Sequence, residues 1–319
     1  MPSPSSAPPL STLTTVGLSL SREKGSAHEI SSTLTLDRDG IAGDRHRGPG
    51  LRQISLMHES VAATVFSDAE KVAHPGMGQE NILIGGTGLA SLQRLDTLEL
   101  GDAILEVTQI GKAVSDDGAQ LCDARAKCLL SEHGIFARVI HGGVIESGQP
   151  IRHQHRLLRA HVITVSDRAS QGTYEDKSGP AARALLDTWC QENRWGLWVE
   201  TQVIPDEKAV LEKALDNARQ SRVDLVITTG GTGVGPRDIT PDVVMAQADK
   251  LIPGIMDYIR LKYGEAMPLA LTSRSVAAVM GNTLVYTLPG SAKAIPEYLD
   301  EIFKSLEHLL FLLKGIDAH

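Results

Sequence analysis

Short apolar runs alternate with helical patterns along the second half of the chain. The apolar runs are rich in β-branched residues and occupy residues 161–166, 197–204, 223–229 and 283–288. Apolar positions repeat at helical spacing over residues 180–190, 207–219, 255–263 and 292–313. Strands that alternate with helices in this way favour a mostly parallel sheet covered on both faces. The pattern therefore predicts an α/β domain over residues 161–319.

The first half of the chain has a different pattern. Alternating apolar positions predict strands, for example at residues 32–37, 98–100 and 104–110, and only residues 59–66 clearly predict a helix. Many short strands separated by glycine clusters favour a mainly β barrel. We therefore predict a second, mainly β domain over residues 13–151.

Two further segments complete the predicted domain organisation. Residues 152–160, in IRHQHRLLRA, read as a short basic linker between the domains. Residues 1–12 are rich in Ser, Pro and Thr and have no basic stretch leading into an apolar one. They are predicted to be a flexible tail and not a signal peptide.

The segment TTGGTGVGPRDITPD, from Thr228 to Asp242, carries the clearest sign of chemistry. Its glycines allow the backbone to turn several N–H groups toward one point, which suits a bound phosphate. A carboxylate beside such a loop, here Asp238, repels an anion unless a metal ion lies between them. The pair therefore indicates a nucleotide phosphate carried with magnesium. The alternative is a purely structural turn, with Thr240 as a helix N-cap and Pro241 at the first helical position.

Five ordered motifs in this half resemble the MogA/MoaB-like molybdopterin adenylyltransferases, over about residues 160–317. The motifs are VSDRASQGTYEDKSGP, VIPDE, TTGGTG with PRDITPD, SR and LPGSAKAI. The resemblance implies a Mg²⁺-dependent reaction in which the terminal phosphate of molybdopterin attacks the α-phosphate of ATP. Adenylylated molybdopterin and pyrophosphate would be the products.

The resemblance also implies site residues. Asp206 and Asp238 match the two catalytic carboxylates and would hold magnesium against the triphosphate. Asp206 has a competing interpretation as the N-cap of the helix that begins near Glu207. Arg274 and Lys293 would clamp phosphate oxygens, or else be solvated helix-end cations. The full set of expected substrate- and nucleotide-binding residues is Asp167, Gly230, Gly231, Thr232, Gly233, Arg237, Ser273, Arg274, Pro289, Gly290, Ser291 and Lys293.

The first half resembles the MOSC domain over nearly all of residues 13–151. The matching segments are DGIAGDRHRGPGLRQISLMHES, HPGMGQENILIGGTGL, LELGDAILEVTQIGK and KCLLSEHGIFARVIHGGVIESGQPI. The resemblance implies binding of pterin or molybdenum cofactor and handling of sulfur, with Cys128 as the sulfur or metal ligand. A buried structural cysteine is the alternative at that position. Other polar residues of these motifs are candidates for a pterin-phosphate site: Asp44, His46, Arg52 and Asn81.

Composition narrows the possible partners and location. A formal net charge of −8 argues against a general nucleic-acid or membrane-surface binder. Three cysteines without paired spacing fit a reducing compartment, so we predict a cytoplasmic protein. The apolar run in residues 292–313 is too short for a membrane anchor and fits a core or subunit interface.

Together these features predict a bifunctional fusion protein for molybdenum cofactor biosynthesis. We expect other biosynthesis proteins or recipient molybdoenzymes as partners, and, by resemblance, a homo-oligomer such as a trimer or hexamer. Two alternatives remain open from the sequence. The C-terminal domain is a non-catalytic molybdopterin carrier or scaffold, or the protein is chiefly a MOSC-type sulfur carrier or reductase that keeps its cofactor bound.

Overall fold

The computed structural model describes residues 12–23, 26–65, 74–88, 91–111, 130 and 133–316. The chain divides into two compact units, Met1–Arg156 and Leu157–His319, called here the N-terminal and C-terminal units. The predicted division into two domains therefore agrees with the contacts within the chain.

The N-terminal unit is built around a closed barrel. Seven strands follow one another around it in the order β11-β7-β8-β9-β5-β6-β1, and pairing of β11 with β1 closes the ring. The strand β2 extends the sheet beside β1, and β10, β3 and β4 form a separate three-stranded sheet. The strands are β1 Leu13–Leu20, β2 Glu29–Ser31, β3 Thr33–Asp37, β4 Gly40–Ile41, β5 Ile54–His58, β6 Ile82–Gly86, β7 Thr97–Leu100, β8 Ala103–Ile110, β9 Ile135–His141, β10 Gly143–Glu146 and β11 Pro150–Gln154.

The barrel encloses the hydrophobic core of this unit. Alternate residues of its strands point inward, and Leu18, Leu56 and Leu105 have no exposed surface. Burying such side chains is the main favourable contribution to folding. One α-helix of this unit, α1 Glu59–Val65, is described. The predicted mainly β barrel is confirmed.

The C-terminal unit contains a six-stranded sheet in the order β13-β12-β14-β17-β16-β15. The first four strands in this order run parallel, and the last two pair antiparallel. The strands are β12 Leu157–Val165, β13 Gly196–Ile204, β14 Leu225–Thr229, β15 Lys250–Leu251, β16 Ala277–Met280 and β17 Thr283–Leu288. The predicted mostly parallel sheet is confirmed, and the antiparallel strands β15 and β16 are additions to it.

Helices supply the apolar surfaces that cover this sheet. They are α2 Asp167–Ser170, α3 Ser178–Glu192, α4 Lys208–Gln220, α5 Thr240–Gln247, α6 Pro253–Gly264 and α7 Ala294–Leu313, with a 3₁₀ helix at Pro268–Thr272. Apolar residues of α4 and α5, among them Leu211 and Val244, share a core cluster with Ile163 of β12. The helices α3 and α7 contact each other, and each also contacts the sheet.

The helix α7 packs as a core element. Its apolar stripe includes Leu299, Ile302 and Leu306, each at most 1% exposed. This placement agrees with the predicted core role of residues 292–313, and the helix itself begins at Ala294. Within the described part of the chain, no helix has the length and apolar character needed to cross a membrane.

The segment predicted as a linker is mostly strand. Residues 152–154 belong to β11 and residues 157–160 belong to β12, so only His155 and Arg156 lie between the two strands. Arg152 and Arg159 are exposed, and the strand backbone pairs regardless of their charges. The prediction of a linker from the basic composition was therefore wrong for these strand residues.

Candidate active site at the ends of the parallel strands

The candidate site lies where the four parallel strands end. Val165 of β12 pairs with Ile204 of β13, and Thr229 of β14 pairs with Leu288 of β17. Because parallel strands end at one edge, the segments that follow them come together, and ligands of open α/β sheets gather there. Asp167, Asp206 and the glycine loop each follow one of these strands.

The glycine loop takes a shape that side chains would block. Gly230 has φ +98° and Gly231 has φ +63°, both in the left-handed region. A Cβ at Gly230 would overlap the carbonyl oxygen of Val165, and one at Gly231 would lie 2.5 Å from Oγ1 of Thr240. The loop therefore lies against β12 and α5 because its residues are glycine.

Thr240 fixes this loop from the first turn of α5. Its hydroxyl donates to the carbonyl of Gly230 at 2.9 Å, and its main-chain N–H donates to the carbonyl of Gly231 at 3.1 Å. The alternative interpretation of Thr240 as a helix N-cap is wrong, because the N-cap residue is Ile239 and Thr240 is already helical. The threonine side chain instead stabilises the glycine loop.

Asp206 is held by reciprocal hydrogen bonds with Asp167. The N–H of Asp167 donates to Oδ2 of Asp206 at 2.9 Å, and the N–H of Asp206 donates to Oδ1 of Asp167 at 3.0 Å. Asp206 is not a helix N-cap, since α4 is preceded by Glu207 in that position. Its carboxylate is thus turned toward the neighbouring strand end and away from its own helix.

The second expected catalytic carboxylate lies against the glycine loop. Oδ2 of Asp238 accepts a hydrogen bond from the N–H of Gly235 at 2.8 Å. Burial raises the pKa of the Asp206 carboxyl, and the charge of Asp238 raises it further, while Arg168 opposes the shift. A carboxylate whose pKa is raised by a like charge is typical of a site where a cation or a proton is to be held.

These residues line a cavity of about 480 Å³. Arg237 forms an ion pair with Asp167 at its edge. Most of the expected nucleotide-binding residues and both catalytic candidates line it: Asp167, Asp206, Gly230, Gly231, Thr232, Gly233, Arg237, Asp238 and Gly290.

A second cavity of about 260 Å³ shares two wall residues with the first, Thr232 and Gly233. Expected site residues on its wall are Ser273, Pro289, Ser291 and Lys293. Tyr263, Met267 and Tyr298 give it apolar and aromatic surface that the motifs did not indicate. The expected binding residues therefore divide between a polar cavity and a neighbouring, more apolar one.

Known proteins are similar to the C-terminal half of this chain. A family model described as a probable molybdopterin binding domain matches residues 161–308. The molybdopterin adenylyltransferase of Haemophilus influenzae is 35% identical over 173 residues, which are 50% of this chain and 86% of that protein. The molybdopterin adenylyltransferase of Escherichia coli K12 is 36% identical over 172 residues, with the same coverage of 50% and 86%. The chain belongs to the molybdopterin adenylyltransferase family through its C-terminal half.

The same half of the chain is also similar to part of a longer protein. The Drosophila melanogaster molybdenum cofactor synthesis protein cinnamon is 34% identical over 154 residues, 48% of this chain and 25% of that protein. The family model begins at residue 161. The MOSC resemblance of the N-terminal unit therefore stays a prediction.

Arg274, which was expected to bind phosphate, instead makes hydrogen bonds within the protein. The guanidinium of Arg274 donates to the carbonyls of Gly233 at 2.8 Å and Asp238 at 2.7 Å. It also binds Asp242 bidentately, at 2.9 and 2.8 Å. Arg274 is absent from the walls of both cavities. These hydrogen bonds hold the loop on which Asp238 lies. The expected contact of Arg274 with phosphate is therefore not supported.

Several residues that line the first cavity were not predicted from the sequence. Asp176 accepts hydrogen bonds from the hydroxyl of Thr164 at 2.7 Å and from the N–H of Ser178 at 3.0 Å. The Ser178 and Thr229 hydroxyls lie 2.9 Å apart. Asp176 and Ser178 fall within the DKSGP part of a motif already quoted, and that position was the available signal.

In the N-terminal unit, three of the candidate MOSC-site residues come together. Asp44 accepts hydrogen bonds from the side-chain amide of Asn81 at 3.1 Å and from the N–H of His46 at 2.8 Å. Burial opposes ionisation of Asp44, but hydrogen bonds from the His46 side chain and from the main chain of His46 and Ser21 lower its pKa to about 2. Asp44 is therefore a buried, ionised anchor.

The remaining candidates of this unit are not part of that cluster. Arg52 donates to Oε1 of Gln109 at 2.8 Å and lies over the ring of Phe136, 5.2 Å from its centroid. Its described contacts thus join β8 and β9, so the structure does not bring it to Asp44. Cys128 lies outside the described residues.

Proposed function

We propose that the C-terminal unit adenylylates molybdopterin with Mg²⁺ and ATP. The observation that carries the proposal is that Asp206 and Asp238 line one cavity together with Gly231 and Gly233 of the glycine loop. A loop of this kind suits a bound phosphate, and a metal ion between the phosphate and the paired carboxylates would offset their repulsion. Membership of the molybdopterin adenylyltransferase family supports the same activity.

The donor set fits magnesium. Mg²⁺ takes oxygen ligands, typically one or two carboxylates together with substrate phosphates. Burial raises the pKa of Asp206 most, and the charge of Asp238 raises it further, so a divalent cation bound by both carboxylates would relieve their repulsion. When bound by Asp206 and Asp238, the ion would withdraw charge from the triphosphate.

The residues of the chain would mainly position the two substrates. Glycine-loop N–H groups would orient the phosphates, and Arg237 at the cavity edge would contribute positive charge. The neighbouring cavity, with Tyr263, Tyr298 and Lys293 on its wall, fits a flat pterin and a phosphate. Because the cavities share Thr232 and Gly233, substrates bound in both would meet at the glycine loop.

A product assay tests this function. Purified protein is incubated with molybdopterin, ATP and Mg²⁺, and adenylylated molybdopterin and pyrophosphate are measured. We expect both products, and their loss in Asp238→Asn and after chelation of the metal. Asp216→Asn, in the exposed pair with Arg219 on α4, is the matched control and should retain turnover.

The outcomes separate this proposal from the carrier or scaffold alternative. A folded protein that binds molybdopterin but forms no product would replace the enzyme assignment with a carrier. Normal turnover by Asp238→Asn would remove the assigned metal site.

We propose a pterin- or cofactor-binding role for the N-terminal unit, together with the sulfur role that the MOSC resemblance implies for Cys128. The support is the cluster of Asp44, His46 and Asn81. Molybdenum in stoichiometric amount in the purified protein would favour the cofactor-retaining sulfur carrier or reductase. Molybdopterin binding that is unchanged in His46→Gln would contradict a role for this cluster.

We further propose a cytoplasmic homo-oligomer, such as a trimer or hexamer, that works with other molybdenum cofactor proteins. Exposed apolar side chains on α6 and the 3₁₀ helix support self-association, since Leu261 is 67% and Leu269 is 76% exposed. Light scattering after size-exclusion chromatography measures the mass, and a monomer at micromolar concentration would contradict the oligomer.

A further inference from the structure

A cluster of two histidines and one aspartate lies at the end of the N-terminal unit. Asp96 directly precedes β7, His153 lies on β11, and His155 follows that strand. Nε2 of His153 is 2.6 Å from Oδ2 of Asp96, and Nδ1 of His155 is 3.6 Å from the same oxygen. These three atoms all lie within 4.8 Å of one another.

The carboxylate of Asp96 is completely buried and firmly oriented. Its Oδ2 accepts a hydrogen bond from the N–H of Gln93 at 2.9 Å, and its Oδ1 accepts one from the N–H of Arg156 at 2.8 Å. Hydrogen bonds behind a ligand fix its direction and are a regular part of metal sites. Asp96 is thus held with Oδ2 toward the two imidazoles.

A simple structural ion pair explains only two members of the cluster. The bond from His153 to Asp96 satisfies both of these side chains, and the His153 side chain is only 3% exposed. Nδ1 of His155 is also buried, yet it has no hydrogen-bond partner among the described residues. A buried ring nitrogen without a partner is unfavourable unless an ion or a water satisfies it. It lies 3.6 Å from Oδ2, where a shared ion would bind both atoms.

We propose that Asp96, His153 and His155 bind a first-row transition-metal dication such as Zn²⁺. Two imidazoles and one carboxylate are a ligand set used by three-residue zinc sites, which leave a fourth position open to water or a small ligand. Imidazole nitrogens favour such ions over magnesium, which takes oxygen ligands. This site is separate in residues and in chemistry from the carboxylates Asp206 and Asp238.

Metal binding displaces the proton that lies between His153 and Asp96. Both imidazoles then coordinate as neutral rings, and the proton passes to solvent. The ion joins the segment before β7 to the end of β11, next to the ladder in which His153 pairs with Leu98 and Gln154 pairs with Thr97. Zinc binding therefore stabilises this end of the N-terminal unit.

The test is a zinc titration of the full-length protein. Chelator-treated protein is titrated with ZnCl₂ by calorimetry in excess Mg²⁺, which occupies oxygen-only sites. His155→Gln is the decisive variant, because Nδ1 of His155 makes no hydrogen bond whose loss would destabilise the fold. His141→Gln, which changes an exposed histidine at the end of β9, is the matched control.

We expect one equivalent of Zn²⁺ to bind wild type and His141→Gln, and binding by His155→Gln to be at least about tenfold weaker. Without metal, the three proteins should have equal melting temperatures, and zinc should raise the melting temperature of wild type and His141→Gln more than that of His155→Gln. Cobalt should give visible absorption bands of nitrogen-ligated metal that His155→Gln lacks.

Two results would overturn the site. One is zinc binding by His155→Gln with the stoichiometry and affinity of wild type, which would place the metal elsewhere. The other is the lack of any zinc-dependent heat or melting shift in wild type, which would leave the cluster a hydrogen-bonded anchor.

Discussion

Asp167 and Asp206 exchange main-chain-to-carboxylate hydrogen bonds of 2.9 and 3.0 Å across the ends of β12 and β13. Each residue thereby fixes the other's backbone as well as its own carboxylate. The pair makes one rigid acidic wall from two segments that are 39 positions apart in sequence. Asp206 is consequently oriented before any substrate arrives, which is how a positioning enzyme lowers its barrier.

The first prediction concerns Asp206→Asn. The amide oxygen of Asn can still accept the hydrogen bond from Asp167, so we expect unfolding free energy to change by less than about 1 kcal/mol. Loss of the charge should lower adenylyl transfer by about 100-fold or more. Steady-state pyrophosphate release and chemical denaturation measure the two effects. Asp216→Asn, on the exposed face of α4, serves as the control and should leave turnover intact.

A second prediction concerns Arg274→Lys. Lysine keeps the charge but not the planar fork that binds Asp242 bidentately and also reaches the carbonyls of Gly233 and Asp238. We expect kcat/KM for ATP to fall by about tenfold, because Asp238 loses its support. Arg219→Lys, in a surface pair with Asp216, should behave as wild type. Loss of activity in both variants equally would contradict a specific role for Arg274.

The third prediction separates the two cavities kinetically. Lys293 lines only the second cavity, so Lys293→Gln should raise KM for molybdopterin by about tenfold and leave KM for ATP unchanged. The comparison variant is Lys250→Gln, at an exposed position of β15. A rise in KM for ATP instead would assign the second cavity to the nucleotide.

The fourth prediction is an acid sensitivity of the N-terminal unit. Hydrogen bonds hold the pKa of Asp44 at about 2, below its ordinary value of 3.8. A group whose pKa is lower in the folded state stabilises the fold above the unfolded pKa and loses this effect as the pH falls toward the folded pKa. Asp44 should thus contribute roughly 2 kcal/mol near neutral pH and progressively less from about pH 4 to pH 2.

Calorimetric scans at several pH values measure this contribution. All three tryptophans lie in the C-terminal unit, so the melting transition without a change in tryptophan fluorescence belongs to the N-terminal unit. In Asp44→Asn the melting temperature of this transition should be lower near neutral pH, and it should change less between pH 4 and pH 2. An identical pH dependence in both proteins would show that Asp44 is not the responsible group.

Local patterns in the sequence predicted most of the fold. The apolar runs at β14 and β17 are fully buried, and β12 is buried from Ala160 to Val165, so composition alone indicates these three strands. Lys250–Leu251 and Ala277–Met280 were missed because strands of two and four residues carry too little periodicity. The linker prediction was wrong because the basic composition of residues 152–160 is more typical of a loop, while the strand pairing depends on the backbone.

The part of the candidate site that stands in contiguous motifs was also predicted from local patterns. Asp206, Asp238 and the glycine loop stand in contiguous motifs, and strand order alone brings them to one edge of the sheet. The role of Arg274 was not readable, because its partners Gly233, Asp238 and Asp242 are 41, 36 and 32 positions away. His153 and His155 looked like parts of a basic linker, and Asp96, 57 positions before His153, gave no signal at all.

The sequence by itself determined the two-part organisation, the barrel and parallel-sheet classes, and the position of the glycine loop and its carboxylates along the chain. Those properties depend on backbone preference, apolar periodicity and residue chemistry within short segments. Only the tertiary structure decided that Asp206 bonds Asp167 instead of capping its helix, that Arg274 supports a loop, and that Asp96 meets His153 and His155. These contacts arise when distant segments are brought together by burial of the core, which no local pattern encodes.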